Sequence, residues 1–227
     1  MTHPLAQYID HTLLKPETNR TQIMQLCDEA RAYRFKAVCI NPIWIPLVCH
    51  ILRDEPEISI CTVIGFPLGA NQPEVKSFET RHVIDQGATE VDMVINIGLL
   101  KSGDDAFVLE DMVNIVNICK DSRVKSKVII ETAILSEGEK ERACRLVAES
   151  GADFIKTSTG FGPAGATIED IKLMYRLVNT KGIKIKAAGG IRSAETAINM
   201  IKAGATRLGT SSSVKIIEEA LNSNLTF

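Results

Sequence analysis

The sequence predicts an α/β fold, a (β/α)₈ or TIM barrel that forms a single domain over residues 1–227. Short runs rich in β-branched residues alternate with longer amphipathic stretches, as is typical of repeated βα units around a parallel sheet. Eight such runs occur, which fits a closed barrel better than the alternative, an open doubly wound sheet. No Pro/Gly/Ser-rich stretch divides the chain, so the pattern indicates one domain.

In the first half of the chain, the predicted strands are short apolar runs, and the predicted helices have apolar residues three or four positions apart. In order they are the strand Ile9–Leu13, the helix Thr21–Tyr33, the strands Ala37–Asn41 and Ser59–Gly65, the helix Pro73–Gln86 and the strand Glu90–Asn96.

The second half repeats the alternation. Its predicted helices are Ala106–Cys119, Glu137–Ser150, Ile168–Val178, Ala194–Ala203 and Val214–Leu221, and its strands are Lys127–Glu131, Phe154–Thr157, Ile183–Ala187 and Arg207–Gly209. Three helices are followed by a Gly-Ala pair, at Gly87, Gly151 and Gly204. A glycine in the left-handed region commonly closes a helix in this way before the next strand.

The composition argues against several classes of partner. The formal net charge is −2, and no basic cluster alternates with aromatic residues, so a nucleic-acid surface is not indicated. The longest apolar runs, such as Ile58–Phe66, are far shorter than the roughly 20 residues that span a bilayer. We therefore expect a protein that binds neither nucleic acid nor membrane.

The cysteines and histidines indicate a reducing compartment and no metal centre. Each of the 6 cysteines stands alone in an apolar pattern, without a C-x-x-C pair or a preceding secretory signal. Such thiols are typical of buried residues in cytoplasmic proteins. The 4 histidines lack the spacing of a transition-metal site. The sequence predicts a cytoplasmic protein without a bound metal.

Two lysines stand near the carboxyl ends of neighbouring predicted strands, where βα loops form the catalytic face of a barrel. Lys156 ends Phe154-Ile155-Lys156, and Lys186 lies just before a Gly-Gly turn. A single lysine of this kind could equally be a structural side chain whose ammonium reaches solvent. Two of them in adjacent βα units favour a catalytic role. Lys184 is an alternative to Lys186 because both face one side of a strand. Lys186 is favoured because it is nearer the carboxyl end.

Paired lysines suit imine formation. A lysine with the ordinary pKa of about 10.4 is neutral in only about one molecule in 2,500 at pH 7. A second ammonium about 5 Å away adds repulsion worth roughly two pKa units, which activates the nucleophile. The protonated imine then accepts electrons when a carbon–carbon bond breaks. Such a site needs no metal or organic cofactor.

Two aspartates are candidates for proton transfer or substrate contact. Asp92 lies within an otherwise apolar predicted strand, where a buried carboxylate requires a cationic partner that the lysines can supply. The alternative for Asp92 is a purely structural ion pair. Asp10 is similar, although it could equally cap a turn. Glu131 ends another predicted strand and is a candidate ion-pair partner without a catalytic role.

A phosphate site is predicted after the last two strands. Gly189-Gly190 leads into one helix, and Gly209 and Ser211-Ser212 lead into the next. Exposed amides at helix N-termini after strands seven and eight are the usual phosphate site of this fold. Arg192 or Arg207 could add charge, and Thr157–Gly160 could add hydroxyls and amides.

These residues lie in segments that resemble the deoxyribose-phosphate aldolases. The matching segments are Ile9–Pro16, Val63–Gly69, Glu90–Asn96, Phe154–Phe161, Lys186–Arg192 and Arg207–Ser212. They occur in order along nearly the whole chain. The resemblance implies reversible cleavage of 2-deoxy-D-ribose 5-phosphate to D-glyceraldehyde 3-phosphate and acetaldehyde, in the breakdown of deoxynucleosides.

The resemblance also implies a role for each matched residue. Lys156 is expected to form the Schiff base, Lys186 to activate it and Asp92 to relay protons. Asp10 and Thr12 are expected near the substrate hydroxyls. The phosphate is expected at Gly160, Gly189, Gly190, Gly209, Ser211 and Ser212. Family members are cytoplasmic homo-oligomers, dimers or larger, and the partners expected are small phosphosugars and aldehydes.

Two positions depart from the pattern of the relatives. Some relatives end in a mobile tail with a terminal tyrosine that assists proton transfer, whereas this chain ends at Phe227, so its relay is expected to use water or other groups. Many relatives have glycine where this chain has Ser213, which is expected to reshape the phosphate loop.

Two alternative functions are weighed against this aldolase. Another phosphosugar aldolase or isomerase would share the phosphate site, but a simple isomerase needs only an acid and a base. A non-catalytic phosphosugar-binding protein would have no need of two buried charges that repel each other.

Overall fold

The computed structural model describes residues 3–223, in which eight parallel strands close into a barrel. The strands follow one another in chain order, and β1 pairs with β8. They are β1 (Ile9–Leu13), β2 (Ala37–Ile40), β3 (Ser59–Ile64), β4 (Glu90–Val94), β5 (Lys125–Ile129), β6 (Phe154–Lys156), β7 (Lys184–Ala188) and β8 (Arg207–Thr210). The predicted (β/α)₈ barrel is confirmed.

Helices follow the strands and cover the outside of the barrel. They are α1 (Arg20–Tyr33), α2 (Ile45–Ile51), α3 (Pro73–Asp85), α4 (Ile97–Ser102), α5 (Asp105–Asp121), α6 (Glu137–Ser150), α7 (Ile168–Val178), α8 (Ala194–Lys202) and α9 (Ser213–Asn222). Asn19 and Ser136 begin α1 and α6 with reciprocal capping boxes. Within residues 3–223, no helix combines the length and apolar character that crossing a bilayer requires.

The predicted Gly-Ala punctuation is confirmed, and some boundaries differ from the prediction. Gly87, Gly151 and Gly204 have φ of 108°, 72° and 121°. β5 starts at Lys125, two residues earlier than predicted, because its ladder with β4 extends back to that residue. It ends before Glu131, whose φ of 55° is incompatible with a strand. α2 and α4, which were not predicted, have seven and six residues and are too short to show a helical period.

The apolar core lies between the strands and the helices, while the barrel interior is charged. Alternate residues of a strand face opposite sides. Val91 and Val128 are buried in the outer apolar layer. Their neighbours Asp92 and Lys127 therefore face inward, where they contact each other. The fold thus places ionisable side chains in the centre of the barrel.

Candidate active site

The barrel interior contains a cluster of charged side chains centred on Asp92, which is fully buried on β4. Asp92 Oδ2 accepts hydrogen bonds from Lys156 Nζ and Lys186 Nζ, each at 2.8 Å. Its other oxygen, Oδ1, accepts one from Lys127 Nζ at 2.7 Å. Strand register causes this arrangement, because Asp92 is paired with Lys127 and Lys156 is paired with Lys186. One carboxylate therefore accepts hydrogen bonds from three lysine side chains.

Two more carboxylates, Asp10 and Glu90, complete this group, which we call the barrel cluster. Asp10 forms a short contact with Lys186 Nζ, and its Oδ1 lies 2.6 Å from Arg207 Nη1. Glu90 Oε2 lies 2.7 Å from Lys127 Nζ and 3.0 Å from Arg207 Nη1. The barrel cluster thus contains three acids and four bases: Asp10, Glu90, Asp92, Lys127, Lys156, Lys186 and Arg207.

The acids of the barrel cluster are ionised because pairing outweighs burial. Burial raises the pKa of Asp92, but the charges of the three lysines around it hold that pKa well below its ordinary value. In the same way, Lys186 and Arg207 overcome the burial of Asp10 and lower its pKa to about 2. Glu90 also has a lowered pKa, because Lys127 and Arg207 outweigh its burial.

Two bases of the barrel cluster, Lys127 and Lys186, stay charged for the same reason. Burial lowers the pKa of Lys127, but the charges of Asp92 and Glu90 raise it well above its ordinary value. Against burial, Asp10 and Asp92 raise the pKa of Lys186. Lys186 is therefore a fixed positive charge that shares the Asp92 oxygen to which Lys156 is bonded.

A cavity of about 270 Å³ opens at the carboxyl ends of the strands, above the barrel cluster. Its wall is formed by residues 12–15, 156, 159–161, 188–192 and 209–211. Lys156 is thus the base of the barrel cluster that reaches this cavity within the described part of the chain. The amine that ends β6 is placed where a bound molecule could react with it.

The predicted site residues occupy two levels. Those in the cavity wall are Lys156, Thr12, Gly160, Gly189, Gly190, Gly209 and Ser211. Asp92, Lys186 and Asp10 lie below the wall, fully buried in the barrel cluster. Asp10 is therefore separated from the wall position of Thr12. Ser212 precedes α9, and its backbone N donates to Thr210 Oγ1 at 2.9 Å.

The turn after β7 packs tightly against the loop after β6. Gly189 and Gly190 have φ of 83° and 75°, values that favour glycine. A Cβ on Gly165 would lie 2.2 Å from the carbonyl carbon and oxygen of Gly189. Ala166 N also donates to the carbonyl oxygens of Ala188 and Gly189, each at 3.1 Å. The shape of this part of the cavity wall therefore depends on the absence of a side chain at Gly165.

The N-termini of α8 and α9 adjoin the cavity wall. Ser193 caps α8, its Oγ accepting from Thr196 N at 3.2 Å. Ser212 precedes α9 and makes no side-chain capping bond to the described residues. Unpaired amides at a helix N-terminus carry partial positive charge and bind anions. Arg192 also lines the cavity and can add a full positive charge.

Glu131 organises the loop that supplies Thr159, Gly160 and Phe161 to the wall. It is buried, and its Oε2 accepts hydrogen bonds from Thr159 N at 3.1 Å and from Thr159 Oγ1. A Cβ on Gly162 would lie 2.9 Å from Glu131 Oε1. Glu131 was a candidate ion-pair partner, but the contacts that define its position are hydrogen bonds to this loop.

Ser213, the first residue of α9, contacts His11 of β1. It is fully buried, and its Oγ lies 2.9 Å from His11 Nδ1 and 3.1 Å from Thr210 O. His11 Nε2 in turn lies 2.7 Å from Glu29 Oε2. Serine at position 213, where many relatives have glycine, thus adds a side-chain hydrogen bond beneath the predicted phosphate loop. The departure at the chain's end, residues 224–227, lies outside the described residues.

Two cations considered at the sequence level lie away from the cavity. Arg207 was a candidate phosphate ligand, which is wrong, because its register beside Lys186 places it in the barrel cluster with Asp10. Lys184, the alternative to Lys186, is exposed at the first residue of β7. Its Nζ lies 5.8 Å from the centre of the Phe154 ring.

Sequence reasoning missed Lys127 and Glu90. One signal could have indicated both, because Glu90 and Asp92 stand two residues apart on one strand and so face the same side. Two buried carboxylates require cationic partners, and Lys127 lies in the strand that follows.

Two sets of possible metal donors occur among the described residues of the barrel interior, and lysine and arginine side chains already pair with their carboxylates. The sets are Cys39, Cys61 and Asp92, and Asp10, Cys61 and Glu90. Both oxygens of Asp92 accept hydrogen bonds from lysines. A divalent cation would have to displace these ammonium groups, so the donor sets do not suit one.

The fold and the site define an enzyme of the barrel aldolase class, with a lysine at the cavity wall above a buried acid–base cluster. The chain belongs to the DeoC/LacD aldolase family, whose profile matches residues 5–216. It is 52% identical over 217 residues to a deoxyribose-phosphate aldolase of Halalkalibacterium halodurans, with 96% of each chain covered.

Solved structures agree with this assignment. The chain superposes with a TM-score of 0.92 on a putative deoxyribose-phosphate aldolase from Coccidioides immitis, at 36% identity, covering 97% of this chain and 86% of that one. A tetrameric deoxyribose phosphate aldolase from Aeropyrum pernix gives a TM-score of 0.90 at 32% identity, covering 97% of this chain and 92% of that one.

Proposed function

We propose that this chain reversibly cleaves 2-deoxy-D-ribose 5-phosphate to D-glyceraldehyde 3-phosphate and acetaldehyde through a Schiff base on Lys156. The observation that carries the proposal is the position of Lys156 in the cavity wall, bonded to Asp92 beneath it. The names of the relatives support the choice of substrate.

The charge count of the barrel cluster favours Lys156 as the neutral amine. Lys127, Lys186 and Arg207 each contact two carboxylates of the cluster. Lys156 contacts Asp92 alone and shares one oxygen of that carboxylate with Lys186. Because four bases face three acids, the cluster is neutral when one base gives up its proton. The base with the fewest acidic partners loses the least Coulomb energy in doing so.

In the proposed mechanism, Lys156 Nζ attacks the aldehyde carbon of the open-chain sugar, and loss of water gives a protonated imine. The imine nitrogen withdraws electrons as the C2–C3 bond breaks, while the C3 hydroxyl loses its proton. D-glyceraldehyde 3-phosphate leaves, and the two-carbon enamine is protonated and hydrolysed to acetaldehyde. Asp92 is the proposed proton relay, since its Oδ2 contacts both Lys156 and Lys186.

The phosphate is proposed to bind at the turns before α8 and α9. Gly189, Gly190, Gly209 and Ser211 line the cavity there, Ser212 precedes α9, and Gly160 lies across the cavity on the β6–α7 loop. Backbone amides and the partial charge of the helix N-termini would hold the anion. Thr12 would contact a substrate hydroxyl, and Asp10 would act from below by fixing Lys186.

The proposal also covers cellular location, domain organisation, partners and oligomeric state. We propose a cytoplasmic enzyme of one domain, residues 1–227, with small phosphosugar and aldehyde partners and no nucleic-acid partner. The six free cysteines, five of them buried, support a reducing compartment. A homo-oligomer is proposed by analogy with the tetrameric relative from Aeropyrum pernix.

The experiment that tests the function is reductive trapping. Borohydride reduces an imine to a stable amine, so treatment with acetaldehyde and borohydride should leave a two-carbon adduct on the peptide containing Lys156. Lys156→Leu should lose both the adduct and aldolase activity, while Lys184→Met, at an exposed lysine outside the cavity, should retain both. Labelling at Lys186 instead would exchange the two lysine roles. A folded chain that binds the sugar phosphate without any labelled lysine would refute the aldolase.

A further inference from the structure

We infer that Lys127 is a positioning residue that fixes Asp92 and sets the pH range in which Lys156 forms an imine. The inference rests on the proposed function, because it concerns the protonation of the proposed nucleophile. Lys127 does not line the described cavity, so it acts on the reaction through Asp92.

The contacts of Lys127 account for the positioning. Its Nζ lies 2.7 Å from Asp92 Oδ1, 2.7 Å from Glu90 Oε2 and 3.3 Å from Cys61 Sγ. Lys127 therefore occupies one oxygen of Asp92 and leaves Oδ2 to Lys156 and Lys186. Without Lys127, Oδ1 would keep the weaker hydrogen bond from Cys61 Sγ, at 3.1 Å, so the Asp92 carboxyl would be less restrained about its side-chain torsion. Lys127 keeps Oδ2 directed at the amine that reaches the cavity.

Charge balance accounts for the effect on pH. The barrel cluster has four bases and three acids, and it is almost fully excluded from water. Lys127 contributes the fourth positive charge when every base is protonated. If a neutral side chain of similar shape replaced Lys127, the three remaining bases would balance the three acids only with Lys156 protonated. Removing Lys127 should therefore hold the proton on Lys156 and suppress imine formation near neutral pH.

Other titratable groups border Lys127. The charged ones on β1, β7 and β8 are Asp10, Lys186 and Arg207, which are paired with each other. Cys61 on β3 has a pKa well above its ordinary value because of burial, so it stays neutral. Cys39 on β2 has a lowered pKa because it shares a hydrogen bond with Cys61. Cys39 is therefore the neighbour whose ionisation must be separated from that of the lysines.

The test measures imine formation over a pH series, by trapping acetaldehyde on the folded protein with cyanoborohydride and quantifying the Lys156 adduct. In Lys127→Met, the midpoint of trapping should rise by about two pH units, the effect of one unit charge about 5 to 6 Å away at an effective dielectric of about 20. Below the midpoint, each unit corresponds to a roughly tenfold loss of adduct.

Two matched variants separate charge from shape. Lys127→Arg keeps the positive charge and should keep the midpoint. Glu90→Gln with Lys127→Met removes one acid and one base together, so charge balance is restored and the midpoint should return toward that of the unmodified chain. If Lys127→Met does not fold, Glu90→Gln alone provides the test, because loss of an acid should move the midpoint down. The Cys39→Ala change, added to the unmodified chain and to Lys127→Met, should leave the difference between them intact.

The results distinguish this inference from the function on which it rests. If the unmodified chain forms no adduct on any lysine, the proposed function fails. If the unmodified chain is trapped and a folded Lys127→Met variant loses adduct equally at every pH, with an unchanged midpoint, Lys127 has a merely structural role and the inference is wrong. A midpoint that the double variant does not restore also contradicts the charge-balance argument.

Discussion

Asp92 brings the proposed nucleophile and its charged neighbours together. Its two oxygens accept three hydrogen bonds from lysines, and it has no exposure to solvent. A buried carboxylate in this position must be ionised for its partners to be stable. The chemistry and the stability of the barrel interior therefore depend on the same residue.

Asp92→Asn should impair both catalysis and stability. An asparagine has nearly the same shape, but it removes the charge that faces Lys127, Lys156 and Lys186. We expect a fall in kcat of about 10² to 10⁴, the usual contribution of a positioned acid–base group. We also expect a loss of about 3 to 5 kcal/mol in the free energy of unfolding, as when one partner of a buried pair is removed. Steady-state kinetics and urea unfolding measure the two effects.

Asp111→Asn is the matched control for this change. Asp111 is also a buried aspartate on a lysine, with Oδ2 2.5 Å from Lys76 Nζ, but it joins α5 to α3 outside the barrel interior. This variant should lose stability while kcat of the folded fraction is retained. The role of Asp92 in proton relay would be refuted if both variants lost stability and neither lost kcat.

Site residues could be predicted from the sequence where their position in a single strand indicates their role. They could not be predicted where the role depends on contacts between several strands. Lys156 and Lys186 were found because they lie at or near the carboxyl ends of predicted strands, and strand ends form the site of a barrel. Lys127 is the first residue of the predicted strand Lys127–Glu131, and its importance depends on register with β4. Arg207 was a candidate for the phosphate site because one strand alone does not show which side chains it faces. Its contact with Asp10 depends on the closure of the barrel between β1 and β8.

At the scale of elements, the loop after β6 and the turn after β7 shape the proposed phosphate site together. They contact through two hydrogen bonds from Ala166 and through the close approach of Gly165 to Gly189. Neither segment is regular secondary structure, so periodicity could not predict the contact. The strands were predicted because they are short apolar runs rich in β-branched residues, and the longer helices because burial of one face imposes a period of 3.6 residues.

Gly165→Ala should weaken phosphate binding. The new Cβ would lie 2.2 Å from the Gly189 carbonyl and 2.8 Å from Gly190 N, so the turn must move. We expect KM for 2-deoxy-D-ribose 5-phosphate to rise about tenfold or more, because displaced backbone donors lose about 1.5 kcal/mol or more with a charged ligand. Turnover of unphosphorylated 2-deoxy-D-ribose should change less.

Gly138→Ala provides the control for Gly165→Ala. Gly138 lies in the first turn of α6, and a Cβ there would meet nothing within 4 Å. Alanine favours a helix over glycine by up to about 1 kcal/mol, so this variant should be as stable as the unmodified chain or slightly more so. If Gly165→Ala left the KM of both substrates unchanged, the turn after β7 would not be part of the phosphate site.

At the scale of the whole molecule, the apolar layer outside the barrel has to stabilise a charged interior. The paired charges in that interior contribute stability only in their ionised form. Asp10 has a pKa lowered to about 2, and the pKa values of Glu90 and Asp92 are also below their ordinary values. Acid should therefore unfold the protein through the barrel cluster.

The pH window follows from the direction of these shifts. A carboxyl whose folded-state pKa is lowered adds stability above its unfolded pKa, and this contribution disappears as the pH falls through the folded pKa. For Asp10 the window runs from about pH 4 to about 2 and corresponds to roughly 2 kcal/mol. Asp92 acts in the same direction over a wider range. Asp111 has a pKa raised by burial and opposes them.

Asp10→Asn should therefore flatten the acid limb of the stability curve. At pH 7 the variant should be less stable than the unmodified chain, because Lys186 and Arg207 lose a charged partner. As the pH falls below about 4, the unmodified chain loses this contribution and the variant cannot, so the two curves should converge. Urea unfolding at successive pH values, followed by circular dichroism, measures both curves. Curves that stayed parallel down to the acid transition would show that Asp10 does not supply the pH dependence, and the stabilising role of its ion pairs would have to be rejected.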